Sequence, residues 1–274
     1  MSDLLMVSIE DAGRRYVVEL DHGKANEMGT DALRAFEALA DRVERDPRVV
    51  SMITWSRRRS SRGTPIFVAG ADVTERVGWS VDRVKEHVRW QREVLRRVRY
   101  LPVFHCAVVD GVALGWGTEY LLTADWRIAG DAATFGLPET GLGILPGAGG
   151  TSELWANVGV AQTLRLGLTG ERIGADEAQR IGLVQERVAG VEPGMDRARQ
   201  LCALVAKRSP TSVAAFKRGV LDAVGRPPDE RAEIEARAYE VCVDGGDAAI
   251  GRQNFDLILG GGVAPWGPRR AEGS

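Results

Sequence analysis

The residues able to do chemistry concentrate in three glycine-rich segments. The first is Phe67-Val68-Ala69-Gly70-Ala71-Asp72. The second is Asp110-Gly111-Val112-Ala113-Leu114-Gly115-Trp116-Gly117-Thr118-Glu119. The third runs from Thr134-Phe135-Gly136-Leu137-Pro138-Glu139 to Gly147-Ala148-Gly149-Gly150-Thr151. Glycine permits a sharp turn and lets a ligand approach the backbone closely. The first two segments each pass from an apolar run, through glycine, toward an expected helix. A helix start offers unpaired N–H groups and the positive end of its dipole. Two such N–H groups aimed at one point would stabilise an oxyanion. The second and third segments each carry one carboxylate, Glu119 and Glu139. A pair on separate elements can divide acid and base work if burial and neighbours set its protonation. A glutamate near a helix start is commonly a cap or a surface residue. Glu119, however, precedes the apolar Tyr120-Leu121-Leu122, where a buried carboxylate points to function. Asp72 is expected to cap the element that follows it.

Other chemistries fit less well. Gly147-Ala148-Gly149-Gly150-Thr151 lacks the lysine of a phosphate-binding loop, and Gly115-Trp116-Gly117 has no third glycine at the offset a dinucleotide site needs. Cys106, Cys202 and Cys242 form no closely spaced pair, and His22, His87 and His105 have no ligand spacing, so neither a metal nor a redox cofactor is expected. Arg57, Arg58 and Arg59, with Arg62, lie in a Ser/Gly-rich loop. They fit either a solvated basic loop or a clamp for a ligand phosphate.

The elements that must position these segments follow from periodicity. Residues 5–9 and 16–20 are expected as a hairpin around Gly13-Arg14-Arg15. Leu33, Phe36, Leu39 and Val43 fall at helical spacing, predicting a helix over Thr30–Arg45 with Thr30 as N-cap. Strands are expected at 49–54, 66–69, 103–109 and 126–129, with a long helix over 82–100 stopped by Pro102. Strands alternating with helices indicate an α/β core over 1–190. Helices are expected at 195–207, 211–224, 229–243 and 248–259, so 191–274 forms a helical C-terminal region. Residues 260–274, rich in Gly, Pro and Arg, are expected to be irregular or mobile.

Bulk properties agree with an ordinary globular chain. With 274 residues, 44% hydrophobic and 27% charged, a large core can form. A net charge of −2 provides no overall pull toward nucleic acid or membrane. No apolar run suggests a signal peptide or a membrane span, and the cysteine usage suits a reducing, cytoplasmic setting.

Taken in order, the three segments resemble the crotonase superfamily, the enoyl-CoA hydratase/isomerase family. The likeness begins at Gly23-Lys24-Ala25-Asn26 and continues through Leu168-Thr169-Gly170, the stretch ADEAQRIGLV at 175–184, Ser209-Pro210 and Lys217. It implies a spiral of ββα units with a helical tail that takes part in assembly and covers the acyl site. The implied assembly is a homotrimer or homohexamer. It further implies an acyl-CoA substrate, an oxyanion hole from the N–H groups of Ala71 and Trp116, and catalysis by Glu119 and Glu139, with Glu139 the partner of the α-proton. Coenzyme A would lie along Lys24, Ala25, Ala69, Gly70 and Ala71, and the acyl group beside Trp116 and Leu142. The implied reaction is reversible syn addition of water to a 2-enoyl thioester. Isomerisation, decarboxylation or thioester hydrolysis, and a non-catalytic thioester-binding role, are the alternatives.

Two features depart from the family pattern. Trp116 stands where glycine is usual. Its ring can pack inward, line the acyl pocket or block it, and a positive φ there would strain it. The tail stretch from Phe255 to Gly262 has no basic residue, which leaves an acyl carrier protein as an alternative to free coenzyme A.

Overall fold

A two-strand, one-helix step repeats along the first half of the chain in the computed structural model, which describes residues 4–270. The steps are β1 (Leu5–Glu10), β2 (Arg15–Leu20) and α1 (Thr30–Arg45); β3 (Ser51–Trp55), β4 (Ile66–Val68) and α2 (Val81–Arg99); β5 (Phe104–Val109), β6 (Val112–Leu114) and α3 (Trp116–Leu121); β7 (Trp126–Gly130), β8 (Thr134–Gly136) and α4 (Leu154–Thr169). Then come β9 (Ile173–Gly174), α5 (Ala175–Arg180), β10 (Glu186–Val188), α6 (Val191–Val205), α7 (Pro210–Ala223), α8 (Pro228–Asp244), α9 (Asp247–Gln253) and α10 (Phe255–Leu259). The first strand of each step joins a six-stranded sheet ordered β1-β2-β3-β5-β7-β10. The second strand, from β4 onward, joins a four-stranded sheet ordered β4-β6-β8-β9. All pairings are parallel except the β1–β2 hairpin and β8–β9.

The core forms where the sequence patterns meet. Leu33, Phe36, Leu39 and Val43 of α1 are all buried, as their spacing requires. Phe36 lies against Trp116 and Tyr120, and Phe67 joins Tyr120 from β4. The start of α1 corrects one expectation. Thr30 is the first helical residue and Gly29 the N-cap, because the Glu75 carboxylate accepts from the Thr30 N–H and hydroxyl, replacing a local cap. Helix α2 starts at Val81, capped by the Ser80 hydroxyl. The expected helix over 248–259 is two helices, α9 and α10, meeting at Asn254. The described part of the last stretch, 260–270, is irregular but tied down. Arg269 donates to the carbonyls of Val43, Glu44, Asp46, Val49 and Pro102, and the Trp266 indole donates to Lys207 O. The remainder of that stretch, 271–274, lies outside the described residues.

Buried charges pin the scaffold from within. Arg127 donates to Leu183 O, Leu121 O, Ala124 O and the Asn157 side chain, fastening the end of α3. Lys217 of α7 donates to Val103 O and to Asp125, which also accepts the His105 N–H. Among the described residues no helix is long and apolar enough to cross a membrane.

Candidate active site

Three adjacent parallel strands deliver the site. β4, β6 and β8 lie side by side, so their carboxyl ends open on one edge. Ala71 follows β4, Trp116 follows β6 and Glu139 follows β8. The expected helix after the first segment is instead a 3-10 turn at Thr74–Arg76. Asp72 caps it, accepting from the N–H groups of Thr74 and Glu75. Ala71 bridges to Met28 through bonds that use the Gly70 carbonyl and the Asp72 N–H, so the Ala71 N–H itself stays out of the bridge. The Trp116 N–H is the first of α3 and has no acceptor one helical turn earlier. A Cβ on Gly117 would lie 2.3 Å from Val68 O, which shows how closely the first two segments pack.

Gly115 takes the strained torsions that tryptophan could not. Its φ is 51° and ψ −119°, whereas Trp116 adopts helical geometry without a positive φ. A Cβ on Gly115 would also meet Glu139 Oε1 at 2.5 Å, so glycine leaves room for that carboxylate. The Trp116 indole points inward, 2% exposed and stacked on Tyr120 with ring centroids 5.5 Å apart. The ring also contacts Phe36, at 5.7 Å between centroids. Leu142, expected beside the acyl group, is 65% exposed at the end of the 3-10 turn carrying Glu139.

The two glutamates differ in surroundings. Glu119 is 3% exposed, and its Oε1 accepts the N–H groups of Ala148 at 2.7 Å and Gly150 at 2.9 Å. Burial holds its carboxyl up at about 7, aided by the nearby Glu139 charge and opposed by those backbone donors. Burial also raises Glu139, whose Oε2 is buried with no hydrogen-bond partner. No cation forms an ion pair with either carboxylate among the described residues. The amide cradle from Ala148 and Gly150 was not anticipated from the sequence, although its glycine density signalled close backbone approach. A Cβ on Gly150 would stand 3.2 Å from Glu119 Oε1.

The Lys24-Ala25 segment meets the first segment directly, since Ala25 O accepts the Ala69 N–H at 3.0 Å. Buried Asn26, at φ 54°, organises this junction by donating to Leu20 O, Ser56 Oγ and Phe67 O. The basic loop has internal partners. Arg57 pairs with Glu19, Arg58 with Asp21, and Arg59 donates to Gly63 O. Ser209 caps α7 and donates to Asp247, so it acts in the tail, away from the glutamates. Among the described residues no cluster of ligating side chains could hold a metal ion.

Residues 25–256 match the family model described as enoyl-CoA hydratase/isomerase. The chain belongs to the enoyl-CoA hydratase/isomerase family. It is 33% identical over 241 residues to a short-chain-enoyl-CoA hydratase of Clostridium acetobutylicum, covering 88% of this chain and 90% of the relative. It is 31% identical over 250 residues to a crotonyl-CoA hydratase of Syntrophomonas wolfei, covering 91% and 94%. A crystal structure of an enoyl-CoA hydratase from Bacillus anthracis superposes with a TM-score of 0.84 at 29% identity, covering 95% of this chain and 98% of that one. The family's crotonase fold, a mixed α/β spiral with a helical tail, is the architecture described above.

Proposed function

We propose that this chain is an enoyl-CoA hydratase that adds water reversibly and syn across a 2-enoyl thioester. The carrying observation is the buried Glu119/Glu139 pair without a cation, Glu119 on the helix after β6 and Glu139 in the turn after β8, with Glu139 close against Gly115. The hydratase names of the two relatives support the same reading. In this mechanism the thioester oxygen accepts the Ala71 and Trp116 backbone N–H groups, and coenzyme A lies along Lys24, Ala25, Ala69 and Gly70. Glu119, fixed through Oε1, and Glu139 hold one water between them. As the water oxygen bonds to the β-carbon, its proton passes to the Glu139 carboxylate and the alkene electrons move onto the thioester oxygen as an enolate. Glu139 then delivers a proton to the α-carbon, restoring the thioester. Burial raises the proton affinity of the Glu139 carboxyl, which suits a proton carried both ways.

The test is hydration of a four-carbon 2-enoyl-CoA, followed by loss of the conjugated thioester absorbance. Glu119→Gln and Glu139→Gln are each expected to lower turnover roughly 100-fold to 10,000-fold. Near-normal activity in both variants would sink the two-carboxylate mechanism.

A further inference from the structure

Beyond Ala71 lies a group of buried polar side chains that the reaction does not use. Arg76 ends the 3-10 turn following Ala71, and its Nε is buried without a hydrogen-bond partner. His87 and Gln91 lie one turn apart on α2, 6% and 4% exposed, and each has an Nε2 with no hydrogen-bond partner. Leaving such a group unsatisfied is costly, so several of them together mark a place where a partner arrives.

The position of α2 relates the cluster to the site. His87 faces Glu75 at 3.5 Å and Trp79 edge-on at 5.1 Å, so it adjoins the turn leading out of Ala71. The next residue, Val88, would contact a Cβ on Gly147 at 3.2 Å, and Arg92 donates to Gly147 O. This places α2 between the Ala71 segment and the turn whose amides hold Glu119. With coenzyme A assigned to the Ala25 and Ala69 segment, we take the acyl group to run past Ala71 toward Arg76 and α2.

The chemistry of the cluster specifies the missing partner. Arg76 Nε and the Gln91 amide nitrogen are donors only. Burial and the Arg76 charge hold the His87 imidazole below its usual range, so it is neutral at pH 7 and one ring nitrogen donates. Glu75 accepts from the Thr30 N–H and hydroxyl and faces His87 Nε2 at 3.5 Å, and with Asp72 it lies within electrostatic reach of Arg76, but neither carboxylate hydrogen-bonds Arg76 Nε or the Gln91 amide. A half-buried guanidinium with its Nε unpartnered, near the unpartnered Gln91 amide, suits an anionic oxygen acceptor. We propose that the acyl chain of the substrate carries a carboxylate, received by Arg76, His87 and Gln91. This rests on the enoyl-thioester reading and names its substrate class.

Binding of saturated thioesters tests the class without requiring turnover. Glutaryl-CoA and pentanoyl-CoA have the same chain length, and only the first ends in a carboxylate. Titration of the full chain by calorimetry is expected to show glutaryl-CoA binding at least about tenfold tighter, with Arg76→Met and Gln91→Leu each lowering that ratio about tenfold. The ratio of affinities is the quantity read, and Gln91→Leu stands in if Arg76→Met does not fold. Equal or tighter binding of pentanoyl-CoA by the wild type overturns the proposal, as does a ratio unmoved in the folded variants. Failure of both thioesters to bind overturns the thioester reading beneath it as well. Preferred binding of glutaryl-CoA by a protein that hydrates nothing would keep the subsite and overturn only the hydratase reaction.

Discussion

Glu119 combines deep burial with a retained ability to ionise, and that combination has a measurable signature. Its carboxyl is held at about 7, above an ordinary value of 4.5, chiefly by desolvation. A raised folded-state value means that the proton favours the fold. The stabilisation is fully present below 4.5 and is lost as pH rises through 7. Glu119→Gln keeps an oxygen to accept from Ala148 and Gly150 but never takes a charge. The variant is therefore expected to match the wild type in stability near pH 4.5 and to exceed it by up to about 3 kcal/mol above pH 8. Urea unfolding at the two pH values checks this; a difference independent of pH would show that Glu119 is not held protonated by burial. Both glutamates stood out as candidates in the sequence chiefly because the ordered segments that carry them resemble the family, with the apolar flank of Glu119 adding a local sign. The inward turn of Trp116 could not be read there, since it depends on Phe36 and Tyr120, which approach only when α1 and α3 pack.

The elements that carry the site are short, and a buried chain of polar groups braces them. Lys217 donates to Asp125, Asp125 accepts from the His105 backbone, the His105 ring meets Thr54 Oγ1 at 2.8 Å, and Thr54 meets the Tyr120 hydroxyl at 3.0 Å. The chain runs from α7 through β5 and β3 to α3, the helix bearing both Trp116 and Glu119. Lys217→Met would leave Asp125 without its cation in a largely buried setting. Breaking such a pair is expected to lower unfolding free energy by roughly 3–5 kcal/mol. Thermal unfolding read by circular dichroism measures it, and an unchanged midpoint would show the pair to be dispensable. The long helices α1 and α2 were legible because several turns of periodic apolar residues outweigh noise. Strands β6 and β8 were not, since each is three residues inside a glycine-rich segment, too short for alternation to show. Their existence is enforced by parallel pairing with β4 and with each other, a tertiary constraint absent from any local window. The Gly29 start of α1 was hidden for the same reason, its cap coming from distant Glu75.

As a single chain, the molecule is poorly finished at its helical end. α8 is 17 residues long and buries none of them, and Phe216, Tyr239, Phe255 and Leu259 stand exposed. A cavity of about 1190 Å³ lies among α7, α8 and α9, lined by Phe216, Val220, Ala238, Tyr239, Cys242 and Phe255 among others. Monomeric proteins rarely leave contiguous apolar patches of this kind uncovered, whereas subunit interfaces are built from them. We therefore expect copies of this chain to cover the tail, in threes or a multiple of three as the family resemblance implies. Light scattering should then give a mass three or six times the chain's 29.7 kDa. Phe216→Glu, which places a charge on that surface without entering the core of a single chain, should shift the distribution toward one chain while α/β circular dichroism persists. A wild type that stays a monomer at micromolar concentration would remove the assembly, and the tail would then have to close over its own groove.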